Sequence, residues 1–241
     1  MQYEAARMKD WVASRMSTFG TIALSLLLIA ATATTTAAVT DRTRPSLPPP
    51  DDGPVRVSVI GDSYSVGTNN QVVWPILIAA GSPLSISIAA ARDASYAGGA
   101  GQSGRFAEQI DRALASKPSV IVVFGGLGDV GEPDAQITQS AIDLFAELIR
   151  RAPTTKLVII GPIWHTQPVP DVFITLDIDI ERAARVTHTT YISLIHKDWL
   201  VADGLMQGDS APTDDGQSVL ARELNPILLD QIRNPRKSVL P

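Results

Sequence analysis

A chain of 241 residues that is 45% hydrophobic and 19% charged has room for one ordinary domain plus an appendage, and its composition is globular. Its net charge of -5 argues against nucleic acid or an anionic lipid surface as the main partner, since both need a basic face. The lack of cysteine excludes disulfides, thiolate metal sites and a cysteine nucleophile; three scattered histidines (His165, His188, His196) are too sparse for a His-rich metal site, so no metal or cofactor is expected.

The amino terminus reads as an export or anchoring segment. Arg7, Lys9 and Arg15 form a positive lead over residues 1–17. No charge occurs from Met16 to Thr40, and Ile22–Ala31 is strongly apolar, enough to cross a bilayer core at helical rise. Residues 18–39 are therefore either a retained signal anchor or a signal peptide cut near Ala31–Ala33 or Thr36–Ala38. The length of the uncharged run favours the anchor. The basic lead then predicts a cytoplasmic amino terminus and an exported carboxyl domain. Residues 40–54 carry five prolines (45, 48, 49, 50 and 54) and read as a semi-rigid tether.

From Val55 the pattern alternates strand and helix. Val55–Ile60 is a β-branched run, the mark of a strand buried in a sheet. A helix is expected near Gln71–Ala80, a second strand over Leu84–Ala89 and a helix over Ser103–Ser116. Ser119–Phe124 is a third strand, followed by an amphipathic helix over Asp134–Arg151 with Ile142, Phe145, Leu148 and Ile149 on its buried face. Lys156–Ile160 is strand four, Asp171–Thr187 a helix, and Thr189–Leu194 strand five. Gln217–Arg233 closes the domain, which spans residues 55–235 with a short tail at 236–241. Such alternation predicts an α/β fold: a parallel sheet with helices on both faces and all strand-to-helix turns on one rim.

That rim carries the unusual residues. Gly61-Asp62-Ser63 ends strand one, where open α/β sheets bind ligands. The Ser63 hydroxyl there is a candidate nucleophile, with nearby backbone N–H groups as oxyanion donors. A lone Gly-Asp-Ser would more simply cap the next helix. The company decides: Ala91–Gly104, Gly125-Gly126-Leu127-Gly128-Asp129, Gly161-Pro162-Ile163-Trp164-His165 and Met206–Asp215 join the same rim. The glycine pattern Gly99–Gly104 mimics a dinucleotide loop, but it follows strand two and lacks an acidic residue after the next strand, so it reads as a flexible loop.

Taken in order, these blocks resemble the SGNH/GDSL hydrolase family. Val59–Tyr64 is similar to the family's nucleophile block, Phe124–Asp129 to its third block, Gly161–Trp164 to the turn after its fourth strand, and Pro212–Gly216 to the tail of its last block. The resemblance covers Val55 to about Arg233. It implies a three-layer, flavodoxin-like sheet of five strands in order 2-1-3-4-5, and serine esterase or acyl-hydrolase ancestry. It implies Ser63 as the nucleophile position, with oxyanion or binding positions at Asp62, Ser95, Gly126, Gly128 and Asp129. Asp62 and Asp129 read as loop-holding carboxylates, and the Ser63 and Ser95 N–H groups as oxyanion donors. Against the family pattern, Ala211 stands where its histidine precedes the proline, Gly208 where its aspartate would be, and Gly128 where its oxyanion asparagine would be. His165, oriented by Asp209 or Asp214, is the candidate substitute base. Two expectations follow. One is a hydrolase acting on an ester of an envelope glycan or lipid; the other is a degenerate member that binds a glycan, lipid or protein partner at the same rim.

Overall fold

The computed structural model describes residues 53–98, 104–209 and 211–234. The segments read as lead, anchor and most of the tether (1–17, 18–39 and 40–52), and the tail, lie outside the described residues. Among the described residues, no helix is long and apolar enough to cross a membrane.

Five parallel strands make the sheet: β1 (Val55–Gly61), β2 (Leu84–Ile88), β3 (Val120–Phe124), β4 (Lys156–Ile160) and β5 (Thr190–Ile192), in the order β2-β1-β3-β4-β5 that the family resemblance implied. The helices are α1 (Ser63–Val66), α2 (Trp74–Gly81), α3 (Ile110–Ala115), α4 (Asp134–Arg151), α5 (Asp171–Val186) and α6 (Asp214–Arg233). Strand alternation splits the core. Ile121 and Val123 of β3 pack with Phe106, Ile110, Phe145, Leu148 and Ile180, whereas Val120, Val122 and Phe124 pack with Trp74, Ile78, Leu220 and Leu224. Each sheet face is thus roofed by its own helices, which leaves the carboxyl ends of the strands as the open rim.

Several boundaries move, each for a local reason. The first long helix begins at Trp74 rather than near Gln71, because Pro75 lacks an N–H and fits only a first turn. The helix expected over Ser103–Ser116 is a 3₁₀ turn, Phe106–Gln109, running into the short α3. The last helix begins at Asp214, three residues early, because the Thr213 hydroxyl accepts from the Gly216 N–H and caps it. Strand five shrinks to Thr190–Ile192. A two-stranded hairpin, β6 (Met206–Gln207) with β7 (Ala211–Pro212), stands outside the main sheet and has no periodic signal to betray it.

Candidate active site

The serine turn is held from several sides. Gly61 ends β1, and its N–H and C=O both pair with the Gln109 side-chain amide at 2.9 Å. Asp62 caps α1: Oδ1 accepts from the Tyr64 N–H at 2.9 Å, and Oδ2 accepts from the Gly126 N–H at 3.2 Å. One carboxylate therefore fastens the turn after β1 to the turn after β3. Gln217 of α6 accepts from the Trp74 N–H and donates to the Tyr64 C=O, tying the far side of the turn to α2 and α6. Neither glutamine is visible as functional in the sequence; each is recognisable only by whose backbone it meets.

Burial pushes the Asp62 carboxyl up to about 6, against the pull of the Tyr64 and Gly126 N–H groups. A raised carboxyl binds its proton more tightly folded than unfolded, so its contribution to stability is present at low pH and is lost as pH rises through about 6. The stability gap between wild type and Asp62→Asn should accordingly narrow by about 3 kcal/mol from about pH 4 to about pH 7, measured by urea melts. Equal gaps at both pH values would show that Asp62 is not proton-linked to folding.

Ser63 lies at the first position of α1, where no preceding helical turn supplies an acceptor for its N–H. Its hydroxyl meets one residue twice. Oγ donates to Oδ1 of Asp93 at 3.0 Å and accepts from the Asp93 N–H at 3.0 Å. Asp93 sits in the loop after β2 with φ +54, a left-handed conformation that Asp tolerates better than most residues. Its neighbour Arg92 donates to the carbonyls of Gly67 and Thr68, which close α1. The Arg92-Asp93 pair thus clips the β2 loop across the serine turn. The sequence reading placed Ser95 here instead. The Ser95 N–H, however, donates to the Gly104 C=O at 3.1 Å in a bridge to Arg105, and the residue is fully buried. It is therefore not an oxyanion donor; Asp93 and Ala94 are the residues of that loop that reach the cavity.

Asp129 does the loop-holding work expected of it. Its carboxylate accepts from the Tyr96 N–H at 2.8 Å and the Ala97 N–H at 2.7 Å, with the Ser95 hydroxyl a further donor. Gly126 also holds structure, since its N–H is engaged by Asp62. Gly128 is exposed at the cavity and brings no side chain to it.

The cavity has a volume of about 210 Å³. Its walls are Asp62, Ser63 and Tyr64 of the serine turn, Asp93 and Ala94, Leu127 and Gly128, and Asp209 of the hairpin loop. A larger depression of about 280 Å³ lies between α4 and α5, beyond the Leu127–Asp129 turn. Ser63 and its turn line the smaller cavity and not this one, so the smaller cavity is the candidate site. His165 does pair with Asp209, Nε2 to Oδ1 at 3.1 Å, and its ring lies 4.5 Å from Trp164, which stacks on Phe173. Asp209 faces the serine cavity, but His165 is not among the residues that line it. Asp214, the other candidate orienter, is spent on Asn70 and the Gln71 N–H. Ala211 is fully buried in β7, paired with Gln207. Among the described residues, no group of acidic or histidine side chains is arranged to hold a metal ion.

No protein-family model matches the chain. A GDSL lipase of Mycobacterium tuberculosis is 29% identical over 192 residues, covering 71% of this chain and 80% of that protein. Among solved structures, the psychrotrophic esterase EstA from Pseudoalteromonas superposes with a TM-score of 0.61 at 16% identity, over 74% of this chain and 99% of that one. TesA gives 0.58 at 21% identity, over 72% and 97%. A family two carbohydrate esterase from Cellvibrio japonicus gives 0.59 at 18% identity, over 77% of this chain and 63% of that one.

Proposed function

We propose that the chain, with its serine turn, its five-strand order and its likeness to a GDSL lipase, is an exported serine ester hydrolase of SGNH/GDSL type that works without the family's imidazole base. The observation that carries the reading is the Ser63 hydroxyl itself. It lies at the carboxyl end of β1, in a cavity of about 210 Å³, and is hydrogen-bonded to a carboxylate. The substrate class is a small acyl ester of an envelope glycan or lipid, in keeping with the basic lead and the uncharged run that follows it. Turnover is slow. The Ser63 N–H remains as an oxyanion donor, but Gly128 adds no side-chain donor, and loss of one such donor costs about 3 kcal/mol of transition-state stabilisation.

A second reading, a binding domain that has lost chemistry, draws on the same cavity. Ala211 and Gly128 bring neither imidazole nor amide to it. Serine-directed labelling separates the two. A fluorophosphonate probe should modify the purified protein at Ser63, and p-nitrophenyl acetate hydrolysis should vanish in Ser63→Ala. A folded protein that takes no label and hydrolyses no ester would establish the binding reading in its place.

A further inference from the structure

If Ser63 is a nucleophile, something must take its proton, and the histidines do not line its cavity. We propose that Asp93 is the general base, so that the catalytic unit is a Ser63–Asp93 dyad; the inference rests on the hydrolase reading above. Three features of the contact support it. The hydroxyl hydrogen already has an acceptor, Asp93 Oδ1 at 3.0 Å, within the reach that proton transfer requires. The Asp93 N–H occupies one lone pair of Oγ at 3.0 Å, which fixes the hydroxyl rotor and leaves the second lone pair for attack. Asp93 is exposed and lines the cavity, so the same carboxyl can hand its proton to a leaving group bound there.

The left-handed backbone at Asp93 is what makes both contacts possible, because it turns the N–H and the carboxylate of one residue toward one oxygen. Arg92 holds that turn in place through the Gly67 and Thr68 carbonyls. The other charged groups around the cavity do not compete for the role. Both oxygens of Asp62 accept backbone N–H groups, and Asp209 is paired with His165.

The steps balance. Ser63 Oγ attacks the ester carbonyl carbon while its proton passes to the Asp93 carboxylate. The tetrahedral intermediate collapses with cleavage of the bond from carbonyl carbon to alkoxy oxygen, and the departing alkoxide takes the proton from Asp93. Water then attacks the acyl-serine, giving a proton to Asp93. The second collapse releases the carboxylic acid and returns that proton to Ser63. A carboxylate is a weaker base than an imidazole, so the dyad accounts for chemistry slower than that of an imidazole-driven triad.

The test uses wild type, Asp93→Asn, Asp93→Glu and His165→Ala, with p-nitrophenyl acetate and the fluorophosphonate as probes. Asp93→Asn keeps the backbone N–H to Oγ and a side-chain acceptor of the same shape, but it cannot accept a proton. Its kcat should fall about 100-fold or more with KM unchanged, and its rate of labelling should fall in parallel. Asp93→Glu restores a carboxylate and should recover part of kcat, which a merely structural role would not produce. Asp93→Asn turnover within about tenfold of wild type, or a comparable loss in His165→Ala instead, overturns the dyad while Ser63 labelling keeps the hydrolase reading intact. Absence of any Ser63-dependent labelling or turnover in wild type overturns both.

Discussion

Gly125→Ala should destabilise the protein by about 4 kcal/mol, read as a loss of unfolding free energy in urea, with the serine turn loosened as well. Gly125 has φ +132, a backbone region that residues with a Cβ rarely adopt. A Cβ there would land on the Asp62 carboxylate. That carboxylate is buried and bonded to the Tyr64 and Gly126 N–H groups, so it cannot step aside without leaving both donors unpaired. Backbone strain accounts for about 1–3 kcal/mol and the disrupted buried hydrogen bonds for a similar sum. Gly131→Ala isolates the first part. It also lies at positive φ, +99, but nothing stands within 4 Å of its added Cβ. Its cost should stay near 1 kcal/mol. Equal losses in the two variants would show that the contact with Asp62 contributes nothing.

Asp129→Ala should cost a comparable amount, about 4 kcal/mol, by leaving the Tyr96 and Ala97 N–H groups and the Ser95 hydroxyl without their acceptor. The site is fully buried, so water does not replace the lost carboxylate freely. The consequence reaches function, because the loop anchored by Asp129 begins at Asp93, the partner of the Ser63 hydroxyl. Asp129→Ala should therefore lower Ser63 labelling as well as the melting temperature. Asp129→Asn keeps one acceptor oxygen and should cost roughly half as much. Thermal melts with parallel labelling check both points, and a wild-type melting temperature in Asp129→Ala would refute the anchoring role.

Both effects concern residues that the sequence marked, but for reasons it could not supply. Asp62 and Asp129 stood out by their place in glycine-bearing turns. Their partners, Gly126 for one and Tyr96 and Ala97 for the other, lie on different crossovers and meet them only once the sheet is assembled. Asp93 was the residue missed. The signal available was slight: an aspartate in an unpatterned loop after β2. The family resemblance points instead to Ser95, two positions on. The structure turns Ser95 inward to Gly104 and Asp93 toward Ser63. His165 and Asp209 are hydrogen-bonded to each other, but only Asp209 lines the serine cavity, and His165 stands behind it.

The division has a physical basis. Order and type of elements were legible because β-branched runs and helical apolar spacing are local and repeat along the chain. The strand order followed from the family resemblance, and the strand–helix alternation put Ser63 on the working rim. The Ser63–Asp93, Asp62–Gly126 and Gln109–Gly61 contacts each join residues tens of positions apart. No local pattern encodes such contacts; they depend on how loops of irregular conformation settle over a twisted sheet. A serine turn at the end of the first strand is written in the local pattern of residues 55–67. What the serine touches is settled by packing alone, because a hydroxyl's chemistry is set within about 3 Å, and that shell is filled by a residue from another loop.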